Sequence, residues 1–171
     1  MQSARLIESL ERFPAVVSAL TSGLAPARAR WRPADGGWSM LEIVAHLADE
    51  EVEDFRARLA LTLEDADAPW PPIAPEAWVR GRDYQGMDLE RVLARFRDER
   101  GESVRWLKSL KATPWAQGHE HPGLGLLSAG DLLLSWAAHD ALHLRQLARR
   151  LYQSVLHDGE GFAADYAGPW E

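Results

Sequence analysis

The 171-residue chain carries 19 Lys and Arg against 26 Asp and Glu, a formal charge of -7, and no cysteine. The acidic balance opposes the phosphate neutralisation on which nucleic-acid affinity rests, which excludes DNA or RNA as the expected partner. The missing thiols exclude disulfides, zinc fingers, iron–sulfur clusters and cysteine nucleophiles from the chain's own chemistry.

With 46% hydrophobic and 26% charged residues, the composition suits one globular domain over residues 1–171. No apolar run approaches the ~20 residues that span a bilayer. The N-terminal MQSARLIESLERF reads as an amphipathic helix rather than a leader, so a cytoplasmic protein without a membrane partner is expected.

The first helix is predicted over about Ser3 to Thr21, with Leu6, Ile7, Leu10, Phe13, Val17 and Leu20 at helical spacing. Pro14 should kink it or break it near Phe13, and Gly23 and Pro26 end it. The second helix has the clearest start, a capping box made by Ser39 and Glu42, with Trp38 and Ile43 as a hydrophobic staple. It is predicted to run to about Leu63. The segment from Glu64 to Asp88 is rich in Pro and Gly yet carries Trp70, Trp78 and Tyr84, and reads as an ordered crossover over one end of a bundle.

The third helix is predicted from Leu89 to Leu110, with Leu89, Val92, Leu93, Phe96, Val104 and Leu107 on one face. A second loop follows, and Ser128 with Asp131 repeats the capping pattern before a fourth helix to about Tyr152. Arg145, Arg149 and Arg150 read as complements to its C-terminal dipole. The tail from His157 is expected to pack its aromatics back on the bundle, with His157 itself on the surface. No segment alternates as a strand does, so the fold class is all-α, a four-helix bundle.

His139 and His143 stand one turn apart on the fourth helix, stacked on the face continued by Leu132 and Trp136. That spacing suits a shared metal ion. His46 lies on an inward-facing stretch of the second helix beside Ile43 and Leu47 and is a candidate third ligand, although spacing alone does not bring it to the pair. Three imidazoles with an open position are the pattern of catalytic rather than structural sites.

Glu50, one turn after His46, is the only candidate catalytic residue, as a general base, a water-mediated ligand or an orienting partner. Its placement in the acidic stretch Asp49, Glu50, Glu51, Glu53, Asp54 favours a solvated carboxylate. Asp140 either orients an imidazole or sits on the bundle surface. His119 and His121 are read as part of a turn into the last helix, with Gly123 and Gly125 supplying backbone freedom.

The segments WSMLEIVAHLADEE and HPGLGLLSAGDLLLSWAAHDALHLRQLARR, with WRPADGGWS upstream and YAGPW at the end, resemble the DinB family, also called DinB-like or YfiT-like proteins, over nearly the whole chain. The resemblance implies an up-down-down-up bundle with a long crossover between helices two and three. It also implies one divalent ion held by His46, His139 and His143, and a homodimer.

Zinc and nickel come first for such a site, with iron, cobalt, copper and manganese as alternatives. The family's chemistries include transfer of low-molecular-weight thiols such as bacillithiol or mycothiol, thiol-dependent isomerisation and hydrolysis. The first expectation is therefore a metal-dependent enzyme that activates a low-molecular-weight thiol for transfer to an electrophilic small molecule. The alternatives are a metal-dependent hydrolase and a non-catalytic, metal-binding stress-response protein.

Overall fold

The computed structural model describes residues 2–170. Its elements in chain order are α1 (Ser3–Thr21), α2 (Pro26–Arg30), α3 (Met40–Glu50), a π-helical segment (Glu51–Arg56), α4 (Ala57–Glu64), α5 (Pro75–Gly81), α6 (Leu89–Ser109), β1 (Gly118–His121), β2 (Gly125–Ser128) and α7 (Ala129–Asp158). Short 3-10 turns occupy Tyr84–Gly86 and Asp165–Ala167. α3, the π segment and α4 form one continuous rod. That rod makes the four-helix bundle with α1, α6 and α7.

The order of burial along each helix gives the topology. The core consists of two apolar clusters, one around Leu41, Ile43, Phe96 and Leu147, the other around Leu10, Leu59, Leu107 and Trp136. α1 passes from the second cluster (Ile7, Leu10) to the first (Phe13, Val17), and α7 does the same (Leu133, Trp136, then Leu147). The α3–α4 rod and α6 pass from the first cluster to the second. This is the up-down-down-up arrangement, and the crossover from Asp65 to Asp88 is what lets α6 run parallel to its predecessor.

Between the clusters lies a polar layer. Arg100 of α6 is 2% exposed and donates from Nε to Glu51 Oε2 at 2.8 Å and from Nη1 and Nη2 to the Asp140 carboxylate at 2.6 and 2.9 Å. Trp136 Nε1 donates to the same Glu51 oxygen at 3.2 Å. Arg100 Nη1 also donates to the carbonyl of Leu10 at 3.0 Å.

That last bond explains an expectation the structure corrects. Pro14 has no N–H for the Leu10 carbonyl one turn back, so a kink or break was expected near Phe13. Instead α1 runs unbroken from Ser3–Thr21, and Arg100 supplies the donor that proline lacks.

The acidic stretch is also not a solvent face. Asp49, Glu50, Glu51 and Asp54 are all buried. Each except Glu50 meets a cation: Asp49 meets Arg82 and Arg95 at 2.6 Å, Glu51 meets Arg100, and Asp54 meets Arg58 at 2.9 Å. The π segment makes such dense burial possible. His46, Glu50 and Asp54 keep one-turn spacing, and the inward phase then moves by one residue to Phe55 and Leu59.

The capping box at Ser39 forms as predicted, with Glu42 N donating to Ser39 Oγ at 3.3 Å and Ser39 N to Glu42 Oε2 at 2.8 Å. Arg32 adds a two-pronged ion pair to the fully buried Glu42. The crossover is ordered, and Arg82 and Tyr84 tie it to Asp49.

Three further differences have local causes. α7 extends to Asp158 rather than ending near Tyr152, because Arg28 of α2 bonds Ser154 Oγ and Asp158. The loop expected after α6 holds an antiparallel hairpin pairing Gly118 with Ser128 and His121 with Gly125. Its strands are too short and too exposed to show alternation, and Gly125 at φ 72 closes the turn. In the tail, Trp170 stacks on Tyr152, whereas Phe162 and Tyr166 stay exposed.

Two stability outcomes follow from these contacts. Arg100→Leu strands two buried carboxylates and the Leu10 carbonyl, and should cost about 3–5 kcal/mol in chemical denaturation. Glu42→Gln should cost about 1–2 kcal/mol at pH 7. Burial pushes the Glu42 carboxyl up, but the Arg32 and Ser39 bonds outweigh it and hold the carboxyl below its usual 4.5. A depressed folded-state pKa contributes stability above the unfolded value and loses it as pH falls. The difference between wild type and Glu42→Gln should therefore shrink as denaturation is repeated below pH 4.5. A difference independent of pH would refute this account.

Candidate metal centre

The polar layer places two adjacent pairs side by side. On the α3 rod Glu50 and Glu51 diverge, and on α7 His139 and Asp140 diverge. Glu51 and Asp140 meet at Arg100, and Glu50 and His139 meet each other, with His139 Nε2 3.0 Å from Glu50 Oε2. One more turn along α7 brings His143, and one turn back along α3 brings His46.

The three imidazoles converge through Nε2. His143 Nε2 lies 2.9 Å from His139 Nε2 and 3.1 Å from His46 Nε2, and the three candidate ligand atoms lie within 4.8 Å of one another. Among the described residues they are the one such group of histidine, cysteine and acidic side chains. His46 is buried, while His139 and His143 are half-buried.

Protonation fits this convergence. Burial pushes His46 down to about 4, with Glu50 opposing, and pushes His143 down to about 3, with His139 and His46 adding to the fall. Both are therefore neutral at neutral pH, the form that ligates metals. His143 Nδ1 faces Gln146 Oε1 at 2.8 Å, which places its proton on Nδ1 and leaves the Nε2 lone pair facing the cluster.

His46 is fixed differently. Its Nδ1 is buried with no hydrogen-bond partner, and the Trp38 ring covers it at 4.8 Å between centroids. Burial raises Glu50, but the His139 bond and the neighbouring imidazoles outweigh it, so its carboxyl sits below the usual range and is ionised.

The donor set could hold a divalent ion. Metal–nitrogen bonds of ~2.0–2.1 Å in a tetrahedral arrangement separate neighbouring nitrogens by about 3.3 Å, and the two closest pairs here are within a few tenths of an ångström of that. The open side faces a cavity of about 560 Å³ lined by Trp38, His46, Glu50, His143 and Gln146.

Sequence reasoning placed His46, His139 and His143 on inward faces, and the structure brings all three together. It corrects two readings. Glu50 is buried against the imidazoles rather than solvated, and Asp140 neither orients an imidazole nor lies on the surface but is bound to Arg100. His119 and His121 stay apart from the cluster, as read. His119 stacks on Trp70 at 4.4 Å and its Nδ1 lies 2.8 Å from the Ala66 carbonyl, pinning the hairpin to the crossover.

Arg100 and Gln146 were not singled out. Arg100 had a signal, being a charge in phase with the apolar stripe of Phe96, Val104 and Leu107. Gln146 had only its one-turn spacing from His143.

Comparison with known proteins agrees with this architecture. “Putative metal-dependent hydrolase YfiT” of Bacillus subtilis is 25% identical over 154 residues, covering 88% of this chain and 86% of that protein. “Putative metal-dependent hydrolase OB0782” of Oceanobacillus iheyensis is 25% identical over 112 residues, covering 66% and 64%. The solved structure of YfiT, a four-helix bundle, superposes with a TM-score of 0.77 at 24% identity, covering 88% and 87%, a likeness of fold. The DinB superfamily model matches residues 9–147, a span that includes Arg100, Glu50 and all three histidines, and the chain belongs to that superfamily.

Proposed function

We propose that this chain is a metal-dependent enzyme in which His46, His139 and His143 hold one divalent ion and Glu50 serves as general base toward a small-molecule substrate. The observation that carries this reading is the convergence of three imidazole nitrogens on one point beside an ionised, buried carboxylate. Zinc and nickel suit an all-imidazole set best, and iron, cobalt, copper and manganese remain compatible. Bound there, a divalent ion would supply Lewis acidity, lowering the pKa of a coordinated nucleophile toward neutrality.

The chain's own residues have distinct tasks. Gln146 fixes the His143 tautomer, and Trp38 and Phe55 pack on His46 and His139 and limit water around them. Glu50 reaches the same space from the α3 side and can accept a proton there. A base so placed matters most for water, which is a far weaker acid than a thiol. Hydrolysis is therefore the first reading, and it accords with the names its relatives carry.

Transfer of a low-molecular-weight thiol to an electrophile is the second. The imidazole set suits a thiolate as well as hydroxide. A sulfur nucleophile would have to be supplied from outside, since the chain has no cysteine.

Metal analysis of purified protein should find one divalent ion per chain, lost in His143→Ala. Gln146→Leu should keep the fold but weaken metal affinity about 10–100-fold. Glu50→Gln should keep the metal and lower turnover about 10²–10⁴-fold on whichever substrate of an ester, amide and thiol-plus-electrophile panel is active. A protein that neither carries nor takes up metal would overturn the reading. Unfolding on metal removal, with no turnover on any substrate, would make the ion structural.

A further inference from the structure

A second cavity adjoins the first. It has a volume of about 640 Å³, shares His143 and Gln146 with the metal-side cavity, and is walled by Arg145, Arg149 and Arg150 with Leu142 and Trp170. The two cavities differ in charge. The metal-side cavity carries Asp35, Glu50 and Glu76, whereas its neighbour has no acidic side chain among its walls in the described residues.

The helix dipole does not account for these arginines. α7 continues to Asp158, its last turn holds only His157 as a basic residue, and the dipole's influence fades within that turn. Arg145 to Arg150 sit at least one full turn before it.

Nor are the three equivalent. Arg150 is buried and committed: its Nε donates to the Trp38 carbonyl at 2.6 Å and its Nη1 to Gln153. A side chain at Gly37 would overlap its guanidinium, so the glycine leaves room for it. Arg149 has only a loose 4.0 Å approach to Asp35, with its side chain 56% exposed. Arg145 has no ion pair or side-chain hydrogen bond among the described residues and is exposed. On a chain of net charge -7, two uncommitted guanidinium groups one turn apart at the mouth of a cavity are a local reversal of sign.

We propose that this cavity is an anion subsite, in which Arg145 and Arg149 receive a carboxylate or phosphate group of the substrate while its reacting group lies against the histidine cluster. The second half rests on the metal-dependent reading above. The first half does not. Planar guanidinium forks match oxo-anions in two-pronged geometry, and Arg150 behind them contributes fixed positive charge. The substrate class is then a small molecule with an anionic group at one end and an electrophilic centre at the other.

Calorimetric titration at low ionic strength tests this with succinate and glycerol 1-phosphate as probes and glycerol as the neutral control. Both metal-loaded and metal-stripped protein are titrated. At least one anionic probe should bind and glycerol should not. Arg145→Gln/Arg149→Gln should weaken binding about tenfold or more with metal content unchanged, and Arg145→Lys/Arg149→Lys should recover part of it.

Metal-stripped protein should keep the arginine-dependent part. Both side chains are exposed, so the variants should keep the wild-type thermal transition. Absence of binding by either anion, or binding unaffected by the double substitution, would overturn the subsite. If the chain proves to take up no metal while succinate binding still depends on the arginines, the metal reading fails and the subsite stands.

Discussion

The Arg100 side chain touches all four bundle helices. It belongs to α6, and it bonds Glu51 on the α3–α4 rod, Asp140 on α7 and the Leu10 carbonyl on α1. A buried guanidinium is tolerable only when its donors are satisfied, and a buried carboxylate only when its charge is matched. The polar layer engages every nitrogen of the guanidinium, while its single positive charge is shared by two carboxylates and Glu51 Oε1 has no hydrogen-bond partner. Burial still pushes Glu51 and Asp140 up against the opposing pull of Arg100. The cluster's contribution is therefore geometric more than energetic: it fixes the depth and rotation at which the helices meet.

That rotation creates the candidate metal centre. Neighbouring residues on a helix point about 100° apart, so a helix that turns Glu51 toward Arg100 must turn Glu50 elsewhere, and the same holds for Asp140 and His139. Glu50 and His139 thus meet as a consequence of where Glu51 and Asp140 are held. The π segment beginning at Glu51 is the local adjustment that lets a run of carboxylates enter the core and still leaves Leu59 and Thr62 facing inward below it.

Much of this was legible residue by residue. Apolar spacing located the four long helices to within a few residues, and the Ser39–Glu42 and Ser128–Asp131 caps fixed two of their starts, because capping and amphipathicity are local properties. The pair His139 and His143 was legible for the same reason. What joins His46 to them is the packing of α3 on α7, which spacing does not encode.

Two of the misread features share one cause. Pro14 suggested a break, and the acidic run suggested solvent, because the compensating partners, Arg100, Arg82, Arg95 and Arg58, lie in part far away in sequence. A charge looks exposed until its counter-charge is known. The arginines of α7 were misread through a boundary: with the helix ending near Tyr152 they sit at its dipole, and with six more residues they do not.

The same polar layer bears on what a bound ion would do. Structural metal sites assemble only as the ligands are drawn together, so ion binding and folding are one event. Here the helices that carry His46, His139 and His143 are also held by Arg100, its two carboxylates and two apolar clusters. An ion bound on helices so fixed would spend little of its binding free energy on ordering the chain. What it retains is available to polarise whatever occupies the open side, which is the property that separates a catalytic centre from a structural clamp.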